Sequence, residues 1–211
     1  MNEEQDVLDF FARPENLSLG LSVAEQMDRL REQMNNRLWQ ELLARLDALV
    51  NAQGLAWRIE LTEDKNSPDN LVGLHCTAST GQALYLRPMM EQQYLGGEWR
   101  IYFGLMWSAA PVPAQLGSPA VTGLKESLQK AGFKSNESFL AWQWTAFHPR
   151  RRDFLLRYAL QPEKLLGDME AVFKTLLIEH REPIEQANAA LSAAPRSLSA
   201  SLNRLRDELV D

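Results

Sequence analysis

Three consecutive arginines, Arg150, Arg151 and Arg152, follow His148-Pro149, and Arg157 comes one to two turns later in a stretch that reads as helix. Guanidinium groups in such a run hold phosphates or carboxylates through paired N–H donors. Trp142, Trp144 and Phe147 lie just upstream and supply flat surfaces for stacking. Arg150, Arg151, Arg152, Arg157, Trp142 and Trp144 are therefore the candidate polyanion-contact residues. The opposing reading is internal: charge runs are commonly solvated faces, and these arginines have an acidic stretch to pair with in Glu3, Glu4, Asp6 and Asp9.

Other chemistries find less to stand on. His75, His148 and His180 stand alone, with no Cys-x-x-Cys or His-x-x-x-His spacing, so no metal is expected. Neither G-x-x-x-x-G-K-S/T nor G-x-G-x-x-G occurs, so no phosphate-cradling loop and no cofactor are expected. A G-x-S-x-G nucleophile elbow is also missing. A metal-dependent nuclease needs an Asp followed on the next strand by an acid-x-Lys triplet. Pro68-Asp69 is present, but Glu63-Asp64-Lys65 precedes it in the same predicted turn. Glu60, Glu63 and Asp69 are the carboxylates that a degenerate Mg²⁺-dependent enzyme would have to use.

The composition is that of an ordinary globular chain, with 45% hydrophobic and 24% charged residues among 211. A chain of that length buries about 70% of its unfolded surface and needs no disulfide to hold a core. Its single cysteine, Cys76, allows no intramolecular bridge and sits in a strand-like run, which fits a buried thiol in a reducing compartment. The net charge of −6 gives no global attraction to nucleic acid or anionic lipid. The first residues are acidic, and no apolar run of about 18 residues follows, so the expectation is a cytoplasmic protein without a membrane contact.

The elements that must position these residues follow from periodicity. A short acidic helix is predicted over 3–12, ended by Pro14. Ser22 and Glu25 form a capping pattern, and Val23, Met27, Leu30, Met34, Leu38, Leu42, Leu46 and Leu49 then make one stripe toward a core or a partner. Gly54 stops that helix. The period changes to two in LAWRIEL, LVGLHCTA, ALYLRP and EWRIYFGLMWS, which predicts four antiparallel strands. In the last run Trp99, Ile101, Phe103, Leu105 and Trp107 share a core face, and the opposite face is only partly polar, so something should cover it too. An irregular Pro-rich connection leads to a helix near 119–131 and then to FKSNESFLAWQWTAF, whose tail alternates Leu140, Trp142 and Trp144 against Phe139, Ala141 and Gln143 and predicts a fifth strand. Helices starting near Arg150, Pro162, Pro183 and Pro195 complete the chain, the last with a stripe of Leu198, Leu202, Leu205 and Leu209.

The expected fold is α+β: a mostly antiparallel sheet of about five strands against the long N-terminal helix and a C-terminal helical segment. The expected organisation is an acidic arm over 1–20, an α+β domain over 21–182 and a helical extension over 183–211.

Four stretches carry a resemblance: RLWQELLARLDAL (37–49), EWRIYFGLMW (98–107), LKESLQKAGFKSNESFLAWQWTAF (124–147) and LQPEKLLGDMEAVFKTLL (160–177). Their order and spacing resemble the C-terminal region of bacterial PD-(D/E)xK nuclease superfamily proteins, many linked to restriction or defence. Gly132, Phe133, Ser135, Asn136, Ala141 and Trp142 carry the match, which spans 37–182. That family's catalytic half would lie upstream, so no catalytic residue transfers to this chain. The resemblance implies a non-enzymatic binding or accessory domain that contacts a protein partner, a nuclease subunit among the options, or nucleic acid. Two rivals stand beside it: a degenerate nuclease or other hydrolase, and an adaptor that forms homo-oligomers through its C-terminal helix.

Overall fold

The computed structural model describes residues 3–79, 81–82, 84–96 and 98–192. Helix α1 (Glu3–Ala12) turns into α2 (Pro14–Ala52), followed by strands β1 (Trp57–Asp64), β2 (Ser67–Ala78), β3 (Leu86–Leu95) and β4 (Glu98–Trp107). Helices α3 (Pro113–Leu116) and α4 (Pro119–Lys130) lead to β5 (Phe139–Trp144). Helices α5 (Arg152–Leu160), α6 (Pro162–Lys174) and α7 (Arg181–Ser192) follow, with a π-helical turn at Thr175–Glu179 between the last two. The expected α+β fold is observed.

The sheet is a meander in the order β1-β2-β3-β4-β5, with every neighbouring pair antiparallel. Its first face carries Ile59, Leu74, Cys76, Leu86, Met90, Ile101, Phe103, Leu105 and Trp107 into the main core with the helices. Trp99, placed on that face by the alternation, is only half-buried, because it lies near the open end of β4. Burial raises the Cys76 thiol well above its ordinary pKa, so it behaves as a small hydrophobe.

Helix α2 is 39 residues long, about 58 Å at 1.5 Å per residue. Its fully buried positions are confined to Leu38, Trp39, Leu42, Leu46 and Val50. Polar bonds hold this half: Asn35 Nδ2 donates to the Leu71 carbonyl at 2.7 Å, and the Leu71 N–H donates to Asn36 Oδ1 at 2.8 Å. Arg45 reaches α6, bonding Glu163 at 2.5 Å and Glu170 at 3.0 Å. Burial works to raise the Glu170 carboxyl, but hydrogen bonds from Lys174 and Arg45 outweigh it and hold the group below its ordinary range.

Several sequence expectations need correction. The long helix begins at Pro14, not at Ser22; proline suits a first helical position, and the Ser22–Glu25 pattern falls inside the helix. The predicted turn EDKNSPDN is mostly strand: β1 continues to Asp64 and β2 starts at Ser67, with register shifts at Thr62–Asp64 that absorb the polar run. The third strand lies further along than ALYLRP, because β3 pairs with β4 through to Leu95. The Pro-rich connection holds the short helix α3. The predicted helix after Pro195 and its leucine stripe lie outside the described residues.

Candidate functional site

The arginine run does not form one site. Arg151 Nη2 donates to both carboxylate oxygens of Glu98, at 2.6 and 2.8 Å, and these bonds hold the Glu98 carboxyl below its ordinary range. His148 Nδ1 lies 3.3 Å from the same carboxylate. Arg157 pairs with Asp168 on α6. Arg150 lies over the Trp99 ring, 5.1 Å from its centroid. Arg152 is exposed at the start of α5. The acidic partners of Arg151 and Arg157 therefore come from β4 and α6, not from the stretch at Glu3, Glu4, Asp6 and Asp9.

Trp142 and Trp144 sit elsewhere. Register pairs Trp144 with Tyr102 and Trp142 with Gly104, which places both tryptophans on the sheet's second face, whereas Trp99 lies on the first. Their cationic neighbours are Arg100, 4.6 Å from the Trp144 ring, and Lys134, 5.6 Å from the Trp142 ring. They meet Tyr102 edge to face at 5.6–6.5 Å between centroids and give the Arg150–Arg152 run no platform.

The three carboxylates of the enzyme reading are dispersed as well. Glu60 accepts from Arg58 at 2.5 Å and lies 3.6 Å from His75 Nε2, while the Asp69 carbonyl is taken by Asn36. Glu63 falls at the register shift near the end of β1. Among the described residues no group of three or more His, Cys, Asp or Glu is placed to hold a metal ion. No described helix is long and apolar enough to cross a membrane.

A crevice at the open end of the sheet collects Arg31, Asn35, Asn70, Gln92, Trp99 and Arg150, but it encloses about 80 Å³. Ligand pockets run to about 300–1,000 Å³. The larger concavity is next to it: an open groove of about 620 Å³ along α2, lined by Val23, Met27, Leu30, Gln33, Asn36 and Asp69.

That groove belongs to a surface that sequence reading only half identified. Leu19, Val23, Met27, Leu30 and Met34 step by four, four, three and four and continue the stripe whose other half is buried from Leu38 to Val50. Leu19, Val23 and Leu30 are 56%, 43% and 47% exposed. Helix α1 folds back onto the beginning of α2 at Gly20, where an added Cβ would come within 3.0 Å of the Phe11 ring. Asn16 Nδ2 ties the two helices by donating to the Phe10 carbonyl at 3.0 Å. Eight of the fourteen large apolar side chains exposed among the described residues lie between Val7 and Leu30, so the apolar exposure is local.

The charge is local too. Residues 3–33 hold eight acidic side chains against three arginines and so carry −5 of the chain's −6. The negative charge thus continues past residue 20, the expected end of the acidic arm, to the point where α2 meets β2. Its signal was available in the stripe, but periodicity alone does not say which half of a stripe is covered. Compared with protein-family models, with curated proteins and with solved structures, the chain finds no match.

Proposed function

We propose that this chain is a non-enzymatic binding domain that docks a protein partner on its N-terminal helical arm, the partner presenting a basic amphipathic helix. What carries the reading is the continuity of one α2 stripe from a sealed half to an open half. A helix laid along the open half would bury Leu19, Val23, Met27 and Leu30 in the helix-in-groove manner. The arm's −5 charge favours a cationic partner and disfavours a second arm of the same sign. The wider setting, an accessory role beside a bacterial nuclease in restriction or phage defence, rests on the four resembling stretches. A cytoplasmic location fits the buried thiol of Cys76.

Fluorescence anisotropy with a labelled 18-residue helix of leucine and lysine tests this against its leucine–glutamate counterpart. The lysine helix should bind the full chain, weaken with added salt, and lose at least about tenfold when Leu19, Val23 and Leu30 become serine. Equal binding of both helices, or binding indifferent to the triple substitution, would overturn the reading.

A further inference from the structure

The second face of the sheet is more deeply buried than the described helices explain. Register puts Arg58, Glu60 and Thr62 of β1, Gly73 and His75 of β2, and Arg87, Met89, Glu91 and Gln93 of β3 on that face. Arg100, Tyr102, Gly104 and Met106 of β4 join them, with Phe139, Trp142 and Trp144 of β5. Met89 and Met106 are fully buried, Glu91 is 2% exposed and Arg87 4%. Yet the apolar cluster there is drawn from β3, β4 and β5 alone, while the buried apolar side chains of the described helices belong to the first-face core. Side chains on an uncovered sheet face stand out from it toward water, and Arg and Glu are almost never fully buried there.

The course of α7 indicates what covers them. Asn188 is buried where β3 begins, accepting from the Leu86 N–H at 2.7 Å and donating to the Leu86 carbonyl at 3.0 Å. Gln82 donates to the Asn188 carbonyl at 2.7 Å. Between β2 and β3 the pairing is confined to Gly73–His75 against Met89–Glu91, so Leu86 lies beyond it and its β2-facing backbone groups are open to Asn188. Helix α7 ends at Ser192, one turn after Asn188, with Leu191 still in the first-face core, so the chain leaves the helix beside the edge where β3 begins.

Nineteen residues follow Ser192 in the sequence. As a helix they would reach about 28 Å, more than the roughly 19 Å spanned by five strands spaced about 4.8 Å apart. Leu198, Leu202, Leu205 and Leu209 recur at steps of four, three and four and make one apolar stripe. The segment carries Arg204 and Arg206 as well as Asp207 and Glu208, so it brings both signs of charge to a face that holds both.

We propose that segment 193–211 docks across the second face of its own sheet, its leucine stripe on Met89, Met106, Phe139 and Trp142, and closes the sheet between two helical layers. The buried part of that face, Met89, Tyr102, Met106, Phe139 and Trp142, is then an internal surface, and any polyanion would have to displace the segment to reach it.

A nitroxide on Asn203→Cys in the full chain tests this, with methionine methyl signals read by NMR; Cys76 is buried and takes no label. The Met89 and Met106 methyl signals should broaden beyond detection, while that of Met27 on the arm keeps its intensity. Adding Leu202→Asp and Leu205→Asp to the labelled chain should restore both lost signals. Unbroadened Met89 and Met106 would overturn the proposal, as would broadening that survives the double substitution. So would broadening in a mixture of nitroxide-bearing chains with isotope-labelled chains that carry none, because the segment would then come from a second copy.

Discussion

One leucine stripe on one helix gives a direct measure of whether the arm is open. Leu30 and Leu42 share residue type, helix and stripe, and twelve residues, about 18 Å, separate them. Leu42 is fully buried, so Leu42→Ala removes three carbons from a packed core and leaves a void; the cost should be about 3–5 kcal/mol. Leu30 is 47% exposed beside an open groove, so Leu30→Ala removes roughly half as much buried surface and leaves no closed cavity. Its transfer cost is under about 1 kcal/mol, and alanine's better helix propensity returns a few tenths. For a chain of this size that contrast is about 6–20 °C in Tm for Leu42→Ala against about 3 °C or less for Leu30→Ala. Urea denaturation by circular dichroism, with equal m-values as the control, reads both. If Leu30→Ala cost as much as Leu42→Ala within about 0.5 kcal/mol, the arm would already be covered in the free protein and the proposed docking surface would not exist.

Other consequences are equally concrete. Asn188→Ala leaves the Leu86 N–H and C=O without their buried partner and should cost about 2–4 kcal/mol, with faster amide exchange at Leu86; unaltered exchange would refute the anchoring role. At Gly104 an added Cβ would strike the Ala141 carbonyl and come within 2.8 Å of the Trp142 Cα, so Gly104→Ala should lose about 1–3 kcal/mol or more, read by thermal melts. Because Arg151 depresses the Glu98 carboxyl, the pair stabilises the fold above that group's unfolded pKa, and the contribution disappears as pH falls through the lower folded value. Arg151→Gln should move the Glu98 titration, followed by carboxyl ¹³C NMR, up toward the ordinary carboxylate range; an unmoved midpoint would count against the pairing. Cys76 should resist a thiol reagent in the folded chain and react at once in denaturant, whereas rapid reaction without denaturant would contradict its burial.

Fold class was legible because it depends on period. The alternation through Ile101, Phe103, Leu105 and Trp107, and the steps of four through Leu38, Leu42 and Leu46, each serve one face of one element. Element limits were less legible where a residue type serves two roles. Pro14 both ends α1 and begins α2, and only the first of these uses is marked by the pattern around it. The site was least legible because proximity in sequence is not proximity on a sheet. Trp144 and Arg150 are six residues apart, yet the tryptophan points to the second face and the arginine rests on a tryptophan of the first. Glu98, which takes up Arg151, lies fifty-three residues away across the β4 start and has no local signature in the arginine run.

The meander order of the sheet has a kinetic side. The β1–β2 pair turns around Lys65-Asn66, and the β3–β4 register runs on to Leu95 opposite Glu98, so both hairpins close over the shortest loops available. Such closures carry little chain entropy and occur within microseconds. The pairing of Tyr102 with Trp144 must instead wait for the chain from Ser108 to Ser138 to be gathered in, with α3 and α4 formed along it. Only then do the aromatic rings of β5 meet Tyr102, and only then does the second face acquire its shape. The order of assembly follows from connection length: the arm and the two hairpins come early, and the face proposed to receive the last segment of the chain is the last to be completed.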